Sequence, residues 1–212
     1  GGAVILYKLA SNSLRAQRIT LTPAASTRNW SANGIQIALM ATTEEAMEYL
    51  PAADDVIVAA NNNGGNNMYA WRWHGAAIPS VVWAHAPLTA TRTAHQPKIY
   101  YDTGAATAII LWHDDRFYAQ PYISTGQGVF GLKVNALTGA IDAAWNAADS
   151  GTADWNGASI IFNHYDIFPP NPIVAPYNNS NNGLVIWDDY RAGKPNGAPD
   201  LRYLPLDGFT PP

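Results

Sequence analysis

Two segments of the chain repeat one another. Ile109-Ile110-Leu111-Trp112-His113-Asp114-Asp115-Arg116 and Leu184-Val185-Ile186-Trp187-Asp188-Asp189-Tyr190-Arg191 each run from an apolar stretch into Trp, with Asp two residues on and Arg two further. A short repeated unit cannot bury its own apolar face. It therefore confines the chain to folds in which similar units stack on one another.

The signals between and around these segments are those of strands: short apolar or alternating runs broken by Gly, Asn, Pro and Asp. Strands are predicted over 3–9, 14–21, 35–39, 55–60, 67–73, 80–85, 98–101, 107–112, 129–135, 159–163, 172–176, 183–188 and 200–206. Asn33-Gly34 favours positive φ and a tight turn before the third of them. Thr42 to Tyr49 reads either as a short helix capped by Thr43, with Glu44, Glu45 and Glu48 near its start, or as an edge strand. Two Asn-rich stretches, 61–67 and 178–183, serve as hairpin connections or as polar loops that hydrogen-bond a ligand.

Laid in register, the segments define a unit. A first strand precedes a second ending in Trp-x-Asp-x-Arg. A third carries a basic residue, as in Leu14-Arg15-Ala16-Gln17-Arg18, Phe130-Gly131-Leu132-Lys133 and Leu201-Arg202-Tyr203. A turn follows, then Trp before Asn-Gly, as in Trp30-Ser31-Ala32-Asn33-Gly34-Ile35 and Trp155-Asn156-Gly157. The unit resembles the repeat of bacterial secreted β-propellers, over the first 40 residues and roughly 97–208. The resemblance implies an all-β array of antiparallel four-stranded blades. Approximate blades are 1–40, 44–92, 95–163 and 171–208, in a single repeat domain that is part of a larger propeller. Between 41 and 96 the Trp-x-Asp-x-Arg motif is absent. A β-sandwich is the alternative fold.

The motif residues have structural work to do. Trp112 and Trp187 are large anchors between stacked sheets. Asp114 and Asp189 can accept backbone N–H groups at a turn. Arg116 and Arg191, two residues on in an extended chain, can pair with them. Asp114, Asp189, Arg116 and Arg191 are read as blade-corner scaffolding, and Trp112 and Trp187 as buried between blades.

Composition narrows the function classes. At 212 residues the chain is long enough for one large all-β domain or two small ones. It is 13% charged, with eight Trp and eleven Tyr, a balance that argues against disorder. A net charge of -4 without a Lys/Arg cluster argues against nucleic acid as a partner. There is no Cys, hence no disulfide or thiolate metal site. No apolar run is long enough to span a bilayer as a helix. A chain beginning Gly1-Gly2-Ala3 reads as processed or as a piece of something longer.

No catalytic constellation stands out. Gly-x-Ser-x-Gly and phosphate loops are absent. The five His show no i, i+4 pair, and His113 beside Asp114 is read as a surface or corner position. Asp142, Asp149 and Asp154 form an oxygen-rich segment that calcium could use, though its spacing fits no EF-hand. No other cofactor is implied. The expected function is a non-catalytic, secreted or cell-surface module that binds a protein partner or builds a surface assembly. The alternative is a carbohydrate-binding module or part of a glycoside hydrolase, with Tyr69, Trp71, Trp73 and Tyr177 stacking on sugar rings. An open stack of blades leaves apolar faces bare. Coverage is expected from the rest of a parent chain or from a second copy.

Overall fold

The computed structural model describes residues 2–9, 12–22, 25–30, 33–62, 67–75, 80–85, 94–114, 128–145, 158–162, 173–177, 182–189 and 200–206. Within them the chain is all-β and propeller-like, with fifteen strands and one 3-10 turn at Ala143–Trp145. The strands are β1 (Gly2–Leu9), β2 (Ser13–Thr22), β3 (Ala25–Arg28), β4 (Ile35–Leu39), β5 (Thr42–Leu50), β6 (Asp55–Asn62), β7 (Met68–His74), β8 (Ser80–His85), β9 (Ala94–Asp102), β10 (Thr107–Asp114), β11 (Gly128–Asn135), β12 (Ala158–Phe162), β13 (Ile173–Tyr177), β14 (Asn182–Asp189) and β15 (Asp200–Pro205). The segment from Thr42, open between helix and strand in the sequence, is the edge strand β5. It carries a bulge between Thr42 and Glu45.

Four antiparallel sheets result. The second and third are up-and-down meanders, β5-β6-β7-β8 and β9-β10-β11-β12; the fourth is β13-β14-β15. In the first, β2 pairs β1 on one side, while β3 and β4 share its other side. The turn into β4 uses Gly34 at φ 71°, where a Cβ would lie 2.4 Å from the Ala16 carbonyl oxygen. Only glycine fits there.

Strand alternation explains how the sheets stack. Successive side chains point to opposite faces, and here both faces are apolar. Val56, Val58 and Ala60 of β6 join Leu14, Ala16, Ile35 and Ile37 in a core between the first and second sheets. The alternate residues Ile57 and Ala59, with Met68 and Ala70 of β7, meet Ile110, Trp112, Phe130 and Leu132 between the second and third. Ile109, Leu111 and Val129 on the other face of the third sheet meet Val185 and Leu206 of the fourth. The sheets therefore stack in chain order, each packing its forward face on the rear of the next. A two-sheet sandwich is excluded.

Charge is used sparingly to pin the stack. Asp55 and Arg72, 1% and 5% exposed, pair within the second sheet through Arg72 Nε and Asp55 Oδ2 at 2.6 Å. Arg72 also donates to the Ala136 carbonyl of the third sheet's turn at 2.6 Å, and the Trp83 indole N–H reaches the same oxygen at 2.9 Å. Between the first and second sheets, Arg18 pairs with Asp54 at 2.9 Å and Lys8 with Glu45 at 2.8 Å.

Two stability measurements follow. Trp112 is fully buried and faces Phe130 across the ladder. Trp112→Ala is expected to cost about 3–5 kcal/mol as an unfilled cavity, read by chemical denaturation. An unchanged transition would mean that Trp112 does not hold the second and third sheets together. Asp55→Ala strands a buried guanidinium and is expected to cost about 3–5 kcal/mol. The double change Asp55→Ala with Arg72→Met should recover part of that loss.

Candidate functional site

The first strands of the second, third and fourth sheets converge. Strand β5 packs along β9, and β9 packs along β13. Each is the end strand of its sheet, so this is the inner edge of the stack. Polar residues gather at one end of it, where β5 and β9 begin and β6 and β10 finish.

Glu44 of β5 is the centre of that cluster. Its Oε2 accepts the backbone N–H of Gln96 at 2.6 Å and the Asn61 side-chain amide at 3.5 Å. His95 Nδ1 lies 3.4 Å from the same oxygen. Gln96 holds φ at 50°, a conformation uncommon for a side-chain-bearing residue, and this aims its N–H at the carboxylate. Asn61, fully buried, accepts the Glu44 N–H at 2.9 Å and donates to the Ala94 carbonyl at 3.1 Å. It ties β5, β6 and β9 together. The His95 ring stacks on His113 with centroids 6.3 Å apart. The side chains of His95 and Glu44 remain 41% and 36% exposed. The result is an oriented carboxylate–imidazole pair open to solvent.

Two further acids with described side chains lie near Glu44 on β5. Glu45, next to Glu44, is held by Lys8 of the first sheet. Glu48 lies four residues along β5 from Glu44, roughly 13 Å in an extended strand. Glycoside hydrolysis uses carboxyl groups about 5–9.5 Å apart. Burial alone raises the Glu48 carboxyl above its ordinary value of 4.5.

The residues singled out in the sequence have varied places. Tyr69, Trp71 and Trp73 alternate along β7 on the face that packs against the first sheet. Trp71 is 8% exposed and lies parallel to Tyr69 with centroids 5.7 Å apart. Trp71 is therefore a core side chain rather than a sugar platform, and Tyr69 and Trp73 are half-buried against the same cluster. Tyr177 ends β13 opposite Asn182; its side chain lies outside the described residues. Trp112 is buried between the second and third sheets. Trp187 and Asp189 sit in β14 opposite Arg202 and Asp200, and Asp114 ends β10 opposite Gly128. The side chains of those three, and all of Arg116 and Arg191, lie outside the described residues.

His113 corrects its expected place: it is 2% exposed, because the bulge after Leu111 sets it against His95 inside the stack. Among the described residues no three His, Asp or Glu gather as metal ligands. Asp142 faces Lys133 at 3.7 Å; Asp149 and Asp154 lie outside the described residues. The site's own signal in the sequence was the acidic run Glu44-Glu45 in a chain poor in charge.

No known protein family matches this sequence, and no curated protein does. Solved structures do. A GH43 endo-arabinanase from Bacillus licheniformis is 12% identical with a TM-score of 0.45, over 97% of this chain and 69% of its own. An exo-β-1,3-galactanase from Phanerochaete chrysosporium is 11% identical with a TM-score of 0.44, over 95% of this chain. The chain spans 42% of that second structure's length.

The raised Glu48 carboxyl makes stability depend on pH. The native state favours the protonated form, so the penalty is absent below the ordinary value and grows as pH rises through the native one. Glu48→Gln is expected to raise the melting temperature at neutral pH, with the gain fading toward about pH 4. A gain of equal size at both pH values would mean that proton binding at Glu48 is not the cause.

Proposed function

We propose that this chain is a non-catalytic carbohydrate-binding module, with Glu44 and His95 as its ligand-facing groups. The observation that carries this is the solvent-open carboxylate and imidazole, fixed by Gln96 and Asn61 where the inner strands converge. Sugar hydroxyls both donate and accept. A carboxylate with unused lone pairs and an imidazole edge supply the complementary partners at fixed spacing. Preorganisation lowers the ordering cost that weak glycan binding must overcome. Glu44 and Glu48, four residues apart along an extended strand, are too widely spaced along the backbone to favour a hydrolytic pair.

Calorimetric titration of a broad oligosaccharide panel tests this. Binding should be weakened at least tenfold by Glu44→Gln and by His95→Ala, with the circular dichroism spectrum unchanged. No polysaccharide turnover is expected. Turnover abolished by changing one Asp or Glu would instead assign a glycoside hydrolase.

A second reading, an assembly module, is favoured by a separate observation. The two end sheets of the stack carry exposed apolar residues on their outward faces.

A further inference from the structure

The outward faces are the rear of the first sheet and the forward face of the fourth. On the rear of the first sheet, Ile5, Leu9 and Leu21 are 44%, 43% and 54% exposed. Ile5, Tyr7, Leu9, Gln17, Ile19, Arg28 and Asn33 line a groove of about 320 Å³ there. On the forward face of the fourth sheet, Leu201 and Tyr203 are 73% and 70% exposed. Ile186 is half-buried beside Tyr203, its ladder partner, and Leu184 is half-buried beside Pro205. The opposite residues of the same strands, Val185 and Leu204, are the ones packed on the third sheet.

The internal repeat says what kind of surface each face is built to meet. Leu184 and Ile186 occupy the repeat positions of Ile109 and Leu111. Those two are 5% and 0% exposed because a following sheet covers them. Val4-Ile5-Leu6-Tyr7 likewise falls in register with Ile109-Ile110-Leu111-Trp112. Val4 and Leu6 face the next sheet as Ile109 and Leu111 do. Ile5 and Tyr7 therefore hold the positions of Ile110 and Trp112, which are buried against a preceding sheet. Among the described residues, no sheet packs on the forward face of the fourth sheet or on the rear face of the first. The high exposure of Tyr203 and Leu21 shows that the two faces do not cover each other within one chain.

We propose that these faces dock on one another between two copies of the chain. The Leu184, Ile186, Leu201 and Tyr203 face of one copy covers the Ile5, Tyr7, Leu9 and Ile19 face of the next. This continues the packing that already joins the second sheet to the third and the third to the fourth. It rests on the assembly reading above and names its partner. The contact is heterologous, since two different surfaces meet, so it closes into a ring or extends as a filament.

Sedimentation velocity on the 212-residue chain over about 1–100 µM tests it, a range that brackets the affinity of a modest interface. Mass is expected to rise with concentration. Ile5→Asp and Tyr203→Asp should each abolish the rise. Because each variant keeps the face that the other has lost, an equimolar mixture should give a dimer and nothing larger. Circular dichroism and thermal melting confirm that each variant is folded. Wild-type association with no dimer in the mixture overturns this docking while leaving another mode of assembly standing. A chain that stays monomeric at every concentration overturns both the docking and the assembly reading, leaving the faces to a different polypeptide.

Discussion

Every sheet among the described residues carries apolar side chains on both faces, and that constraint organises the rest. An antiparallel sheet with one wet face can end a fold; a sheet with two dry faces cannot. Val58 and Ile57, adjacent in β6, are both fully buried, one toward the first sheet and one toward the third. The second sheet thus needs a neighbour on each side. The third repeats the requirement through Ile110 and Leu111. Serial stacking satisfies it, and the demand ends only at the two outermost faces.

Polar side chains inside such a stack are costly unless paired, and here they serve as registers. Apolar faces slide easily, because burial is not directional. The Arg72 contact with Ala136 and the Asn61 contact with Ala94 are directional, and each joins the second sheet to the third at a different end of β6. Together they fix both the spacing and the rotation of one sheet on the other. Arg18 with Asp54 does the same between the first and second sheets. Low overall charge and well-placed charge are two sides of one arrangement.

Much of the strand layout was legible because alternation and turn residues act locally. β4 and β8 fall on their predicted limits, and Asn33-Gly34 makes its positive-φ turn. Strand β3 has no signal of its own in the sequence: Ala25-Ser26-Thr27-Arg28 has no apolar period, and only its pairing with β2 makes it a strand. β9 reaches back to Ala94 through His95, Gln96 and Pro97, beyond the strand expected at 98–101. Its anchor is the Glu44 carboxylate on another sheet. Thr42 to Tyr49 is ambiguous in sequence because three Glu suit a helix start as well as a solvated strand. The aromatic residues of β7 suit two roles. Trp71 is as fit for a sugar platform as for a core, and its place was decided by which face of β7 meets the first sheet.

The site was the least legible part, since it exists only where four strands from two sheets come together. Glu44, Asn61, Gln96 and His113 are scattered in sequence, and no spacing rule unites them. The inner edge has a physical reason to collect such groups. Strands β5 and β9 pair within their sheets on one side only, leaving backbone and side chains on the other side to find partners elsewhere. An end strand in an apolar stack is where water and polar side chains are tolerated. Gln96 at positive φ and the half-exposed Glu44 and His95 are the local cost of that edge. The same two properties, polarity and fixed geometry, are what a ligand made of hydroxyl groups requires.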